Sequence, residues 1–508
     1  MRSALTEVSP RLVQILEKEG FTPATLQEYL GPAAYSSIAR GEPASILYTL
    51  RNREAEPLAI LIRAFLVHTE VARQQLDRVL TPQIVETLLT LGMAQEKNSL
   101  VTIGFDIRST LIDGRLIWIF SDLDASLVAN HIPGKDHVLG IGAASLSLLS
   151  ATPRTPVHTL LDLGSGSGIQ ALGQAPHAHT IIATDIHDRA LDFAEANSAA
   201  NKVPLEIRSG SWFDPVAGEK FDRIVANPPF VVGPPEIGHV YRDSGLDLDG
   251  ATEYVVRKGI DHLKEQGCLH ALGSWAYREE ESVPARVASW IPETGVSAWF
   301  IQRDTVDSID YINTWLRDES IDPRSNEGAQ RTQHWLQHFE HAQVTAIGFR
   351  FVAVKRIDDH LPSEVVFEHV SHPIDSYVGD EIQEHFVRME WLRNKDAEAI
   401  LDAQYYLRPG VAKEDISTTD IQAGMGFAST VLRLTRTDGL RFSHEVDQHI
   451  AAIIAGLHPA GLSLREVAEL YAFSNGLEED SLYTELIQPI VALIQHGIIL
   501  PADITTGW

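Results

Sequence analysis

The chain has 508 residues and a formal net charge of −28, with 44% hydrophobic and 22% charged side chains. That make-up predicts a soluble globular protein of about three domains with a large core. It excludes a general polyanion-binding surface, because phosphate affinity rests on Lys and Arg. A single cysteine, Cys268, excludes an internal disulfide and a cysteine-rich metal site. No apolar run approaches the ~20 residues that cross a bilayer, and the start lacks a signal-peptide core. The expectation is therefore a cytoplasmic protein with no membrane partner. The charge is uneven: −1 over residues 1–100, −13 over 101–360 and −14 over 361–508. A local basic patch is most readily housed in the near-neutral N-terminal region, and the acidic C-terminal third reads as a solvated surface.

In chain order, residues 1–95 carry apolar side chains at three- and four-residue spacing, with Pro and Gly at the segment ends, which predicts helices. SLVTIGFDIRST and GRLIWIFSDL then alternate like strands around Asp113-Gly114, a hairpin signal. Helices followed by a hairpin predict a winged-helix-like or scaffold domain over 1–130. From about 157 the pattern becomes βαβ: VHTLLDLG, HTIIATDI, PLEIRSG, FDRIVANPP, CLHALGSWA, VSAWFIQRD and VTAIGFRFVAVKR read as strands. The expected architecture is α/β, a mostly parallel seven-stranded sheet covered on both faces, over 131–360. Two helical patterns are inserted at about 306–342. Residues 361–508 are predicted to form a mainly helical, acidic domain, with STVLRLTRTDG as one strand candidate.

The chemistry concentrates at four strand ends. Leu161-Asp-Leu-Gly-Ser-Gly-Ser-Gly168 follows the first βαβ strand, and glycines at 164, 166 and 168 let the backbone turn tightly against a ligand. The third glycine comes one residue too early for a dinucleotide fingerprint. The second strand ends at Asp185, where a carboxylate either caps the next helix or accepts two ribose hydroxyls; with Asp188 available as the cap, ribose is preferred. The third runs into Ser211 and Trp212, the latter either a core residue or a surface for a purine. The fourth ends at Asn227-Pro228-Pro229-Phe230. The paired prolines lock the strand exit. The Asn227 amide and the Pro228 carbonyl can then accept both hydrogens of one planar NH₂, with Phe230 as a stacking surface.

Together these segments resemble class I S-adenosylmethionine (SAM)-dependent N-methyltransferases with an (N/D)PP(Y/F) motif, over roughly residues 135–360. These enzymes modify adenine N6, guanine N2 or the glutamine amide of release factors. The resemblance implies a Rossmann-like fold and SAM as cofactor. Asp162, Gly164, Ser165, Gly166 and Gly168 would then hold its methionine portion and Asp185 its ribose, with Ile186 and Asn227 also in the cofactor site. Ser211 and Trp212 would flank the adenine, with Asp214 as a substitute for the acid the family carries at 211. Asn227, Pro228, Pro229 and Phe230 would form the catalytic set, and the implied acceptor is a protein such as a release factor, or RNA. The segment at 140–147 corresponds to a helix closing over the methionine end, or to simple packing.

Other patterns rank lower. The acids at 243, 247 and 249 lack EF-hand spacing, and His334, His338 and His341 share a helix face but lack the Glu of a metalloprotease motif, so no metal is expected. Cys268 reads as core. A noncatalytic SAM-binding or scaffold protein would keep the glycine loop without transfer. A nicotinamide oxidoreductase would share the sheet but gives Asn227-Pro228-Pro229-Phe230 no role, and a winged-helix regulator would sit poorly with the acidic balance. The choice of acceptor and the oligomeric state are left open by the sequence.

Overall fold

The computed structural model describes residues 2–124, 134, 136–235, 243–318, 321–374 and 377–507. Two compact units are present: residues up to Leu149 with Arg154–His369, and Ser150–Pro153 with the remainder from Val370.

The first unit opens with α1 (Arg2–Lys18), followed by short helices to Thr90. Helices Arg73–Leu80 and Pro82–Thr90 accompany a small antiparallel sheet of Val71–Ala72, Leu100–Ile103 and Ala94–Lys97. A hairpin follows, β1 (Asp106–Ile112) and β2 (Arg115–Ser121), with Ile112 paired to Arg115. Asp113 and Gly114 have φ of 51° and 72°, the two left-handed residues of a type I′ turn, as the Asp-Gly pair predicts. Next come α2 (Ala143–Ala151), β3 (Val157–Leu163), α3 (Ile169–Gln174), β4 (Ala178–Asp185), α4 (Asp188–Asn201), β5 (Glu206–Ser209) and β6 (Phe221–Ala226). The succession continues with α5 (Gly250–Asp261), β7 (Leu263–Arg278), α6 (Val283–Ala288) and β8 (Val296–Asp307). After the inserted helices α7 (Ser308–Asp318) and α8 (Asn326–His341) come β9 (Val344–Arg356) and β10 (Glu364–His369).

These strands form one sheet in the order β10-β8-β9-β7-β6-β3-β4-β5. The pairings β3–β4, β4–β5, β3–β6, β6–β7 and β8–β10 are parallel, while β9 runs antiparallel to β7 and β8. The order reverses between β3 and β6, and such a switch point leaves a crevice at the carboxyl ends of the strands. The central strands are apolar on both faces because helices cover both: Leu160, Leu161, Ile224, Val225 and Leu269 are fully buried.

Two expectations are corrected. The sheet has eight strands rather than seven, because Glu364–His369, beyond the expected domain edge at 360, pairs with β8. The second unit holds further strands beyond the one candidate at 429–439, which overlaps Phe427–Arg436. Beside α9 (Gly379–Arg393), α10 (Leu464–Asn475) and α11 (Glu479–Gln495), it holds an antiparallel sheet of Val411–Thr419, Phe427–Arg436 and Ser443–Val446. Val411–Thr419 is exposed along most of its length, so it carries no period-two apolar signal. In that unit the fully buried Arg388 and Arg436 close on Glu381 at 2.7 and 2.6 Å. Burial raises the Glu381 carboxyl, but the two guanidiniums prevail and hold it near pKa 2.

The N-terminal helices share a core with the sheet layer. α1 packs along α4, and Leu5, Leu12 and Leu16 meet Ala190, Phe193 and Ala196. The buried Ser9 hydroxyl donates to the Ala196 carbonyl at 2.8 Å. Cys268, at a register position between Arg223 and Lys355, is half-buried.

Candidate active site

Leu163 of β3 is in register with Ala226 of β6 and with Thr184 of β4. The residues that follow, the glycine loop, Asp185 and Asn227, are thereby brought to one end of the sheet. Gly164, Gly166 and Gly168 have φ of 67°, 53° and 79°, the left-handed region where a side chain is strained. At Gly168 an added Cβ would stand in ordinary contact with Ala194 of α4, 3.5 Å away, so the left-handed backbone and not crowding is what favours glycine there.

The loop is held from three sides. The Gly166 N–H donates to Asp185 Oδ2 at 2.9 Å, while Asp185 Oδ1 accepts from the His187 N–H at 3.0 Å. Beneath the loop, Asp162 is 1% exposed, and its Oδ2 accepts from the Ala171 N–H at 2.9 Å. Burial pushes the Asp162 carboxyl up to about 7, and the neighbouring Asp185 charge adds to the rise. From α4, the fully buried Asn197 amide donates to the Ser167 carbonyl at 2.8 Å.

A cavity of about 230 Å³ lies over these strand ends. It is lined by Gly164 to Ser167, Asp185 to His187, Gly210 to Trp212 and Asn227 to Pro229. Ile186 is 59% exposed, an apolar surface beside Asp185. Trp212 has φ of 48° and packs its ring 5.2 Å from that of Tyr254. The Asn227 amide makes no hydrogen bond among the described residues. Ser165 Oγ, Thr184 Oγ1 and Gln170 Oε1 are buried without a hydrogen-bond partner, and all three residues line the cavity. Unsatisfied buried groups cost about 1–3 kcal/mol each, so this wall suits a ligand that carries its own polar groups, such as an amino-acid moiety.

The structure thus brings Gly164, Ser165, Gly166, Asp185, Ile186, Ser211, Trp212, Asn227, Pro228 and Pro229 around one space, with Gly168 closing the loop behind them. Two expected residues stand apart. Asp162 is under the loop rather than at the cavity wall, because its carboxylate is committed to the Ala171 N–H. Phe230 is half-buried outside the lining, its carbonyl taken by the Ser274 hydroxyl. The helix cap is also corrected: His187 holds the N-cap position of α4 without a side-chain bond, and Asp188 is the first helical residue. Asp214 begins a short 3₁₀ turn outside the cavity.

Ser145, in the segment at 140–147, lines the cavity, and so do residues 136–139 and Gln170, which carry no local signal in the sequence. Residues 136–139 are anchored by Asp122, whose Oδ2 accepts from the Val138 N–H and from Arg189 Nε, both at 2.9 Å. Asp122 and Arg189 are 67 positions apart, so no local pattern marks the pair. Asp249, weighed as part of a calcium loop, is instead 2% exposed and paired with Arg286 at 2.5 Å. No group of three or more potential ligands with metal-site geometry occurs among the described residues.

The strand order, the glycine turn after β3, the acid closing β4 and Asn-Pro-Pro closing β6 form the arrangement that the resemblance to class I methyltransferases implies. In agreement, residues 139–270 match the family model described as a methyltransferase small domain. Residues 18–103 and 383–501 match two models described as domains of unknown function. The release factor glutamine methyltransferase of Aliivibrio fischeri is 42% identical over 80 residues, covering 15% of this chain and 28% of that one. Its namesake from Streptococcus pneumoniae is 29% identical over 150 residues, covering 27% and 53%. Ribosomal RNA small subunit methyltransferase C of Escherichia coli is 29% identical over 170 residues, covering 33% and 46%. The chain thus spans about half or less of the length of these relatives. A solved T. thermophilus 16S rRNA N2 methyltransferase in complex with AdoMet and guanosine is 16% identical, with a TM-score of 0.27. That match covers 43% of this chain and 58% of that one.

No helix among the described residues is long and apolar enough to cross a membrane.

Proposed function

We propose that this chain is a SAM-dependent N-methyltransferase acting on a planar NH₂ of a translation-related macromolecule, a protein glutamine amide or an exocyclic amine of an RNA base. The observation that carries the reading is Asn227, whose side-chain amide stands at the cavity wall immediately before Pro228 and Pro229, on the strand end beside the glycine loop and without a hydrogen-bond partner among the described residues. Supporting it are the family model over 139–270 and the relatives named above.

When bound, SAM supplies a methyl group already activated on a sulfonium. The residues present fit such a group: Gly164 to Gly166 with the unpartnered Ser165, Thr184 and Gln170 oxygens for its amino-acid end, and Asp185 for ribose hydroxyls. Asp185 accepts one backbone N–H on each oxygen and keeps lone pairs for those hydroxyls. Ile186 and Trp212 offer apolar surface to a base between them. Asn227 and the Pro228 carbonyl accept the two N–H donors of the incoming amine and turn its lone pair toward the donor methyl. Positioning of this kind is where the rate is gained; the amine sheds its proton after attack, so Asn227 orients and does not act as a base.

The test is transfer of labelled methyl from SAM into a lysate of cells lacking this protein. Asn227→Ala is expected to lose transfer about 100- to 1000-fold with SAM affinity unchanged; equal loss of both would remove Asn227 from the acceptor role. Label released by protease identifies a protein amide, and label released by RNase an RNA base. No label above the Asn227→Ala control overturns the enzyme reading.

A further inference from the structure

The helical insertion between β8 and β9 lies against the backbone that follows Asn227-Pro228-Pro229-Phe230. Val232 is fully buried, and its N–H donates to Tyr311 Oη of α7 at 2.9 Å. At Gly233 an added Cβ would stand only 2.9 Å from Trp335 Cη2 of α8, so the indole fills the space a side chain would need. The Gly233 carbonyl accepts from the Leu248 N–H at 3.0 Å, and Leu248 is itself 2% exposed. Val231, Val232 and Leu248 share one apolar cluster with Tyr311, Ile312, Leu316, Trp335 and Phe339. The far end of the same segment is fixed separately: Asp249 accepts from the Ala276 N–H at 3.0 Å and from Arg286 Nε at 2.7 Å. From α8, His338 Nε2 also stands 2.9 Å from the Asp247 carboxylate.

The geometry points to a positioning role for the insertion: Tyr311 and Trp335 hold residues 231–233 and thereby set the acceptor side of the site, leaving the cofactor side alone. This rests on the methyltransferase reading above. The division follows from position. The glycine loop and Asp185 are anchored by Asp162, Asn197 and each other, none of which belongs to α7 or α8. Residues 227–229 line the same cavity from the end of β6, the strand beside β3, and the chain leaving them runs directly into the Tyr311 and Trp335 contacts. Neither Tyr311 nor Trp335 lines the cavity, so neither is a catalytic residue.

The test uses the full chain with labelled SAM, a lysate of cells lacking this protein as the titrated acceptor, and SAM affinity measured separately by calorimetry. Tyr311→Phe removes the acceptor of the buried Val232 N–H and is expected to raise the half-saturating lysate concentration roughly tenfold. Val232 amide exchange should quicken and SAM affinity stay unchanged. Gly233→Ala should raise the same acceptor parameter by forcing the backbone away from Trp335. Adding Trp335→Leu to Gly233→Ala should restore it, since the smaller side chain makes room for the methyl. A merely structural role predicts additive losses in the double variant and parallel losses of SAM binding; either result overturns the proposal, as does an unchanged acceptor parameter in Tyr311→Phe. Absence of label with the wild-type chain overturns the methyltransferase reading beneath it, an outcome distinct from label with unaltered variants.

Discussion

Asp162 and Asp185 serve one loop with opposite demands on their charge. Asp185 keeps both oxygens at the cavity edge, each already accepting a backbone N–H. Its replacement by Asn leaves the shape and removes the charged acceptor proposed for ribose hydroxyls. SAM affinity is expected to fall about 10- to 100-fold, the worth of one charge-assisted bond; calorimetric titration of Asp185→Asn checks it. Asp162 is buried, and burial lifts its carboxyl from the ordinary 3.8 to about 7. A carboxyl whose pKa is raised by folding contributes its full stability below the unfolded value and loses it as pH rises through the folded one. The loss therefore falls between pH 4 and 7, at no more than about 1.4 kcal/mol for each step of one in pH. Asp162→Asn can still accept the Ala171 N–H but does not titrate. The melting temperature of the wild type is expected to fall relative to Asp162→Asn across that window and to run parallel below pH 4. A pH series of thermal melts decides the point; a constant difference from pH 4 to 8 would show that Asp162 stays ionised in the fold.

At the scale of elements, α4 does more than cover the sheet. Asn197 and Asn201, four residues apart and so on one face, bond the open edge of β2 as a neighbouring strand would. Asn201 Oδ1 accepts from the Trp118 N–H at 2.8 Å, and its amide donates to the Trp118 carbonyl at 2.7 Å. Asn197 does the same for Phe120 at 2.7 and 3.0 Å, and also reaches the Ser167 carbonyl in the glycine loop. Asn197→Ala strips three buried bonds at once. The expected loss is about 2–4 kcal/mol, read by denaturant unfolding, with weaker SAM binding because Ser167 is released. This ladder also marks the limit of legibility. The strands, the glycine turn, Asp185 and Asn227 were readable because each signal lies within a few residues: an apolar run, a spacing, a proline pair. The Asn ladder, the Asp122–Arg189 anchor and the Tyr311–Val232 bond join residues 67 to 83 positions apart, where no periodicity reports them. Asp162 and Phe230 were readable as motif members, but their placement depends on Ala171 and Ser274 already taking their polar atoms. Val411–Thr419 was missed for the opposite reason, since a strand exposed along most of its length has no apolar alternation to read.

Over the whole molecule the governing quantity is charge. A net charge of −28 sets a field that repels polyanions, and residues 361–508 hold half of the excess. The acceptor proposed above is either a protein amide or a base amine, and this net charge disfavours one of the two carriers. Salt separates them. A protein making 6–10 phosphate contacts loses about 10³- to 10⁵-fold in affinity between 50 and 200 mM salt, because each contact releases counterions. With acids outnumbering Lys and Arg by 28, this chain is expected to lose less than about tenfold over that range. The measurement is the half-saturating lysate concentration for methyl transfer at the two salt levels. A shallow dependence, with label released by protease, agrees with an acceptor held by shape and apolar contact around Asn227. A drop of a hundredfold or more would require a concentrated strip of Lys and Arg that the net charge conceals, and would move the acceptor to nucleic acid.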